Sequence, residues 1–280
     1  MVDRVFVIGN GESRKDFDLH SLKSKGKIYG CNALYRDFAP DVLVAVDPGI
    51  IHEIYHNGYA YNNECWFRNW VKKLENKYKD CFYGIGCDFD NSRFNTIRKH
   101  FLKMTENEKG NSTEFVCHGI PIKPVLRLLN KTNNDEFLRV AKKHNINVSW
   151  IKKDKANNLD KIMPNNRDIG WSSGATAGYV AIQQHNPKEI YLIGHDFVSL
   201  SKKTNNLYKD TTNYAKSTHT ATPGLSWKNQ WKSLFKMYPK TKFFKVNSSA
   251  EHNNINVKIN EWRGVKNITY ITYENLICNW

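Results

Sequence analysis

No apolar run in the 280-residue chain approaches the roughly 20 residues that a helix needs to cross a bilayer, so a helical membrane span is not expected. No basic segment followed by an apolar core opens the chain, where Val5 to Ile8 already reads as a strand. A secretory leader is therefore not expected, and the cytoplasm is the expected compartment. Its six cysteines, at 31, 65, 81, 87, 117 and 278, form no CxxC pair and no zinc spacing; they read as reduced, mostly buried thiols. Asn111-Ser112-Thr113 and Asn247-Ser248-Ser249 then read as chance products of an Asn-rich chain rather than glycosylation sites. Internal repeats and clean linkers are also missing, which predicts one domain over 1–280. Acidic residues are scarce: 27 Asp+Glu against 42 Lys+Arg give a net charge of +15. A field of that sign and size attracts polyanions, whether nucleic acid, an anionic surface or phosphorylated substrates.

What the chain does have is strands that end in small or polar residues. Val5-Phe6-Val7-Ile8 runs into Gly9-Asn10-Gly11-Glu12-Ser13. This reads as a buried parallel strand ending in a tight turn, with glycines to reach positive φ or admit a ligand against the backbone. Asn10 and Ser13 are expected to point into the resulting crevice. Lys27 to Asn32 reads as a second strand and Asp41 to Asp47 as a third, so three strands end at Asn10, Asn32 and Asp47. In open α/β sheets, strand ends on one edge converge on one binding crevice.

Further along, 104–114 is polar and reads as an exposed loop, 125–140 as two short helices, and 152–167 as a flexible charged segment. Ser172 or Ser173 is expected to cap a helix whose first turns are small residues, suited to close approach and to an anion at its N-terminus. Glu189 to Phe197 is a further strand ending in Gly194-His195-Asp196. Residues 199–224 are polar and poor in apolar groups, as a mobile lid would be. Lys228 to Tyr238 has the spacing of an amphipathic helix with Trp231, Leu234, Phe235 and Tyr238 inward. Lys242 to Asn247 is a last clear strand. The expected fold is α/β: a Rossmann-like, mostly parallel sheet flanked by helices, with a small lid region.

Two stretches carry a family resemblance. One is Gly9-Asn10-Gly11-x-Ser13-x-Lys15 with Asp18, Leu22 and Cys31-Asn32; the other is Ser173-Gly174, Ala181-Ile182 and Lys188-Glu189-Ile190-Tyr191-Leu192-x-Gly194-x-Asp196-Phe197. Together they resemble the bacterial sialyltransferases of the Campylobacter lipooligosaccharide type, whose single Rossmann-like fold works without a metal. Motility-accessory-factor and hydroxymethylpterin-diphosphokinase-like proteins share that architecture. The opening is also similar to proteins of marine T4-like phages, which would place the protein in a host cytoplasm. The resemblance implies a glycosyltransferase that needs no prosthetic group and uses a CMP- or UDP-linked sugar as donor. It implies that Gly9, Asn10, Gly11, Ser13, Asn32, Ser173, Gly174 and Asp196 hold that donor. Asp47 stands where those enzymes place a strand-end asparagine, which leaves the nucleotide open. Their lid histidine takes the acceptor's proton and their lid tyrosines bond the leaving phosphate. Here His219 is the lid histidine, Tyr208 matches the second tyrosine, Val198 stands at the first, and Tyr214 is its substitute.

A histidine near its ordinary pKa suits proton transfer at neutral pH. His195, at a strand end, is the second candidate, with a buried and satisfied ring the simpler expectation for it. Asp47 is either a base, a carboxylate for a ribose or sugar hydroxyl, or a turn residue. Asp16-Phe17-Asp18 and Asp88-Phe89-Asp90 both match the Asp-x-Asp of metal-dependent glycosyltransferases, yet neither follows an apolar strand, and no metal is expected. The +15 charge exceeds what one nucleotide needs, and Lys, Trp and Tyr interleave over 227–245. With the phage-like opening, this makes DNA the expected acceptor, through a flipped-out hydroxymethylated pyrimidine. The alternatives are a cell-surface glycan acceptor, a pterin diphosphokinase-like reaction, and a basic nucleic-acid-binding protein without catalysis.

Overall fold

The computed structural model describes residues 2–68, 101–106, 113–118, 146–151, 156–164, 172–199, 201–253 and 258–278. Asp88–Asp90 and the helices expected over 125–140 lie outside them, as do 152–155 and 165–167 of the charged segment expected to be flexible; the rest of that segment is instead ordered into a short strand at Ala156–Asn158 and a helical turn at Leu159–Lys161. The strands are β1 (Arg4–Ile8), β2 (Lys27–Cys31), β3 (Val42–Ala45), β4 (Cys65–Phe67), β5 (Phe101–Glu106), β6 (Thr113–His118), β7 (Ile146–Ile151), β8 (Ala156–Asn158), β9 (Glu189–Ile193), β10 (Lys242–Asn247) and β11 (Ile268–Thr272). The helices are α1 (Pro48–His56), α2 (Tyr59–Asn62), α3 (Ser173–His185), α4 (Leu225–Met237), α5 (Ser249–His252) and α6 (Tyr273–Cys278). No helix among the described residues is long and apolar enough to cross a membrane.

Where the sequence predicts one domain, the chain forms two compact units. The first takes in Met1–Ile50, Asn63–Phe67 and Lys161–Trp280; the second takes in Ile51–Asn62 and Arg68–Asp160. An inserted unit needs no linker of distinctive composition, which is why its borders were silent. Within the second unit, β5 pairs antiparallel with β6, and β6 pairs parallel with β7. At both ends of the stretch expected to be an exposed loop, 104–106 belong to β5 and 113–114 to β6, a correction in which ladder pairing overrides local polarity; 107–112 lie outside the described residues.

The first unit is built on a parallel sheet in the order β11-β10-β9-β1-β2-β3-β4. β1 lies at its centre, with Arg4 beside Glu189 on one flank and Val5 beside Lys27 on the other. Val5, Phe6, Val7 and Ile8 are all fully buried, because both faces of the strand are covered. On one face Phe6, Ile8, Leu22, Ile28, Leu34, Ile193, Val246 and Leu276 form a core cluster. On the other, Phe243 packs against Phe235 at 4.7 Å between ring centroids, and Phe235 meets Trp262 edge-on at 4.9 Å. The α/β Rossmann-like arrangement expected from the sequence is the one found.

The small residues of α3 serve this packing. A Cβ on Gly178 would stand 2.7 Å from the Trp231 ring of α4, so the helices touch only because residue 178 has no side chain. The helix ends at Asn186, which adopts φ 46° and returns its amide to Ile182 O.

Candidate functional site

The carboxyl ends of β1, β2, β3 and β9 open on one cavity of about 380 Å³, together with the N-terminus of α3. Gly9, Asn10, Gly11, Asn32, Asp47, Ser173, Gly174 and Asp196 all line it. Residues distant in sequence meet there because parallel strands share one direction, so their polar ends share one edge.

The turn after β1 is held from below. Gly9 N donates to Ile193 O at 2.7 Å and Gly11 N to Gly194 O at 2.8 Å. Positive φ is not the reason for these glycines, contrary to the sequence reading: Gly11 has φ −67°, and it is Gly194 that adopts φ +66°. A Cβ on Gly9 would overlap the Gly194 carbonyl, and one on Gly11 the Asp196 carboxylate. The space is taken by the neighbouring strand end, not by a ligand.

Ser13 does not point into the cavity. Its amide donates to Asp196 Oδ2 at 2.9 Å and its hydroxyl makes a short bond to Oδ1. Both carboxylate oxygens of Asp196 are thereby engaged. Asn10 is also committed, since Nδ2 donates to Cys31 O at 3.1 Å and to Tyr214 Oη at 3.2 Å. Its Oδ1 is buried without a partner.

Asn32 sits at the end of β2 with φ 50°, a left-handed conformation that asparagine tolerates better than most residues. Ser173 Oγ donates to Asn32 Oδ1 at 2.7 Å, which fixes the amide orientation. Asn32 Nδ2 consequently faces Asp47 and donates to its Oδ2 at 2.8 Å. Asp47 keeps an accessible carboxylate, yet the crevice walls shed enough water to raise its pKa, against the Asn32 bond, which lowers it.

His195 is 8 % exposed, with Nε2 3.1 Å from Val7 O and the ring edge-on to Trp231 at 5.3 Å. Burial, helped by the Lys245 charge and opposed by the Val7 bond, drives its pKa down to about 3. It is a neutral structural ring, the simpler of the two readings its position allows. Cys31 is buried too, and desolvation pushes its thiol up to about 12, so it is not a nucleophile.

Ser172 occupies the cap position of α3 but does not cap it. Its hydroxyl turns to Gln230 Oε1 at 2.6 Å, which also accepts its amide at 3.0 Å. The helical ladder begins with Thr176 N donating to Ser172 O at 3.0 Å, so the N–H groups of Ser173, Gly174 and Ala175 precede it, and Ser173 and Gly174 line the cavity.

Residues 201–224 fold over the strand ends. Leu207 N donates to Asn10 O at 2.8 Å, and Arg36 donates to Thr211 Oγ1 at 2.8 Å and Thr212 O at 3.0 Å. Asn205 Oδ1 accepts from Glu12 N and Asn206 Oδ1 from Tyr208 N, both at 2.9 Å. Both asparagines spend their oxygens this way and keep NH2 groups for the cavity they line.

The three lid residues singled out in the sequence fare differently. Tyr214 accepts at Oη from Asn10 and from Ala33 N at 3.3 Å, and it lines a second cavity of about 260 Å³. Burial raises its pKa well above the phenol range. Tyr208 is buried and lines neither cavity: its hydroxyl donates to Asp37 Oδ2 at 2.6 Å and accepts from Arg14 at 3.2 Å. It anchors the lid. His219 is exposed on a hairpin where its carbonyl accepts from Thr204 N at 3.0 Å, and it lines neither cavity. Of the Asp-x-Asp pairs, Asp18 accepts from His20 N at 2.9 Å as a helix cap.

Sequence reasoning missed Asn205, Asn206, Trp227 and Gln230. The last two had a signal, because Trp227, Gln230, Trp231 and Leu234 fall at i, i+3, i+4 and i+7. A glutamine on the apolar stripe of a helix must find a polar partner, and this one finds Ser172. The asparagines of the lid had none.

Comparisons with protein-family profiles, with curated proteins and with solved structures find no match to this chain.

Proposed function

We propose that the protein transfers a sugar from a CMP- or UDP-linked donor to an acceptor hydroxyl. The observation that carries this reading is the composition of the strand-end cavity. Four strand ends and a helix N-terminus meet on it, and its described lining holds amides, hydroxyls, two carboxylates and Trp227 without a lysine or arginine. Such a surface suits a nucleoside and a sugar, which present hydroxyls and ring faces, joined by a phosphate or diphosphate that N–H groups can hold. The first-turn N–H groups of α3 and the NH2 groups of Asn205 and Asn206 are the donors for the phosphate. As the sugar–oxygen bond breaks, negative charge grows on that phosphate, and fixed donors in a water-poor crevice favour the charged state. The folded lid keeps water off the reacting carbon, which limits donor hydrolysis.

The acceptor we favour is a hydroxymethylated pyrimidine of DNA. The +15 net charge supports it, since the duplex backbone can lie on the protein surface while one neutral base enters the crevice. A glycan hydroxyl is the second reading, favoured by the hydroxyl- and amide-rich lining of the lid cavity. Incubating the protein with CMP- and UDP-sugars and either a hydroxymethylcytosine oligonucleotide or a lactoside, then weighing the products by mass spectrometry, decides between them. A mass gain of one sugar on either acceptor supports transfer; unchanged acceptors and intact donors across the panel would refute it.

A further inference from the structure

The 260 Å³ cavity under the lid is not separate from the 380 Å³ cavity at the strand ends. Asn32, Asp47, Asp196, Phe197 and Trp227 are among the residues that line both. The first cavity has the turn after β1 and the N-terminus of α3 to itself; the second has Ser199, Thr204, Tyr214, Ala221 and Thr222 from the lid side.

Resting on the transferase reading, we propose that these are donor and acceptor compartments that meet at Asp47, and that Asp47 is the catalytic base. Two carboxylates stand on the shared wall, and their bonds assign them different work. Asp196 has Oδ1 and Oδ2 both taken by Ser13, so it is a structural brace for the first turn. Asp47 gives only Oδ2 to Asn32. Because Ser173 fixes the Asn32 amide, that bond points the carboxylate and leaves Oδ1 to the junction. A hydroxyl seated in the lid cavity and a sugar seated in the strand-end cavity would both lie beside it.

The step balances without a co-reactant. The acceptor oxygen forms a bond to the anomeric carbon while its proton passes to Asp47 Oδ1. The bond from that carbon to the phosphate oxygen breaks, and the nucleotide leaves with the electron pair. Asp47 then returns its proton to solvent. A carboxylate whose pKa is raised by its surroundings is a stronger base than a free one, which agrees with this role without carrying it. The groups facing Asp47 are Asn32, the phenol of Tyr214 and, across the shared wall, Asp196. His219 is then a bystander, exposed and outside both compartments.

The test uses CMP-sialic acid and UDP-glucose as donor probes, and a lactoside and a hydroxymethylcytosine oligonucleotide as acceptors. Asp47→Asn is expected to keep the donor-induced thermal shift and to lose about 10²–10⁴ in kcat. The acidic limb of the wild-type kcat–pH profile is expected to vanish in the variant's residual rate. Ala221→Trp, which fills only the lid cavity, should raise acceptor KM by at least about tenfold and leave the donor shift in place. His219→Ala should transfer at the wild-type rate.

A variant Asp47→Asn that turns over within about tenfold of wild type at saturating donor overturns the inference. So does one that loses donor binding while its kcat holds, which would make Asp47 a ribose ligand. If the variant fails to fold, the wild-type profile still decides, because a kcat with no acidic limb contradicts a carboxylate base. A wild type that neither binds nor turns over any sugar nucleotide sinks the transferase reading itself, an outcome distinct from all of these.

Discussion

The carboxylate of Asp196 fills the volume that a side chain at Gly11 would need. The end of β9 and the turn after β1 are thus fitted to each other through the absence of one atom, and Ser13 locks the fit with two bonds to the same carboxylate. Gly11→Ala must therefore displace Asp196 or the turn. We expect a loss of about 1–3 kcal/mol in chemical denaturation, as for other overpacked sites. Asp196→Ala in the Gly11→Ala background should recover part of that loss, since it clears the overlap.

The buried ring of His195 makes stability depend on pH in a defined direction. Its folded pKa is about 3, whereas an unfolded histidine titrates near about 6.5. The unfolded chain therefore binds this proton first as pH falls. The contribution is intact above about pH 6.5 and declines below it by up to about 1.4 kcal/mol per pH unit, toward the folded value. His195→Gln retains a donor for Val7 O and removes the titration. Urea melts from pH 7 to pH 5 should show a shallower acid loss for the variant than for the wild type; parallel curves would contradict the assignment.

The hydroxyl of Tyr214 is one of the pins that hold the lid, accepting from Asn10 Nδ2 and Ala33 N. Tyr214→Phe leaves both donors short of an acceptor, and we expect a cost of about 1–3 kcal/mol. The loss should be local. Hydrogen exchange is expected to rise over residues 205–214 and to remain unchanged in β1 and β9; a uniform rise across the sheet would mean that Tyr214 serves the core instead.

Much of this architecture is legible in the sequence because burial on both faces leaves a simple mark. Val5 to Ile8, Val42 to Val46 and Ile190 to Ile193 are unbroken apolar runs, and each stops at a polar or small residue that the structure places on the cavity edge. Strand order is less legible. Nothing local tells Arg4 that its partner is Glu189, a pairing set by the whole sheet. The reach of side chains is less legible still. Ser13 and Tyr208 looked like ligand contacts and turned out to serve Asp196, Asp37 and Arg14, because a buried polar group takes the partner that topology offers. Gly9 and Gly11 were recognisable as special, but for the wrong reason, since a close neighbour and a bound ligand both demand a missing Cβ.

The central claim is that the crevice binds a nucleotide sugar, and thermal-shift titration with CMP-sialic acid, UDP-glucose, GDP-mannose, ATP–Mg²⁺ and duplex DNA tests it most directly. The account predicts a selective rise with one CMP- or UDP-sugar, equivalent to about 2.7 kcal/mol at a hundredfold excess over Kd. A rise with ATP–Mg²⁺ or with DNA alone, and none with any sugar nucleotide, would contradict it.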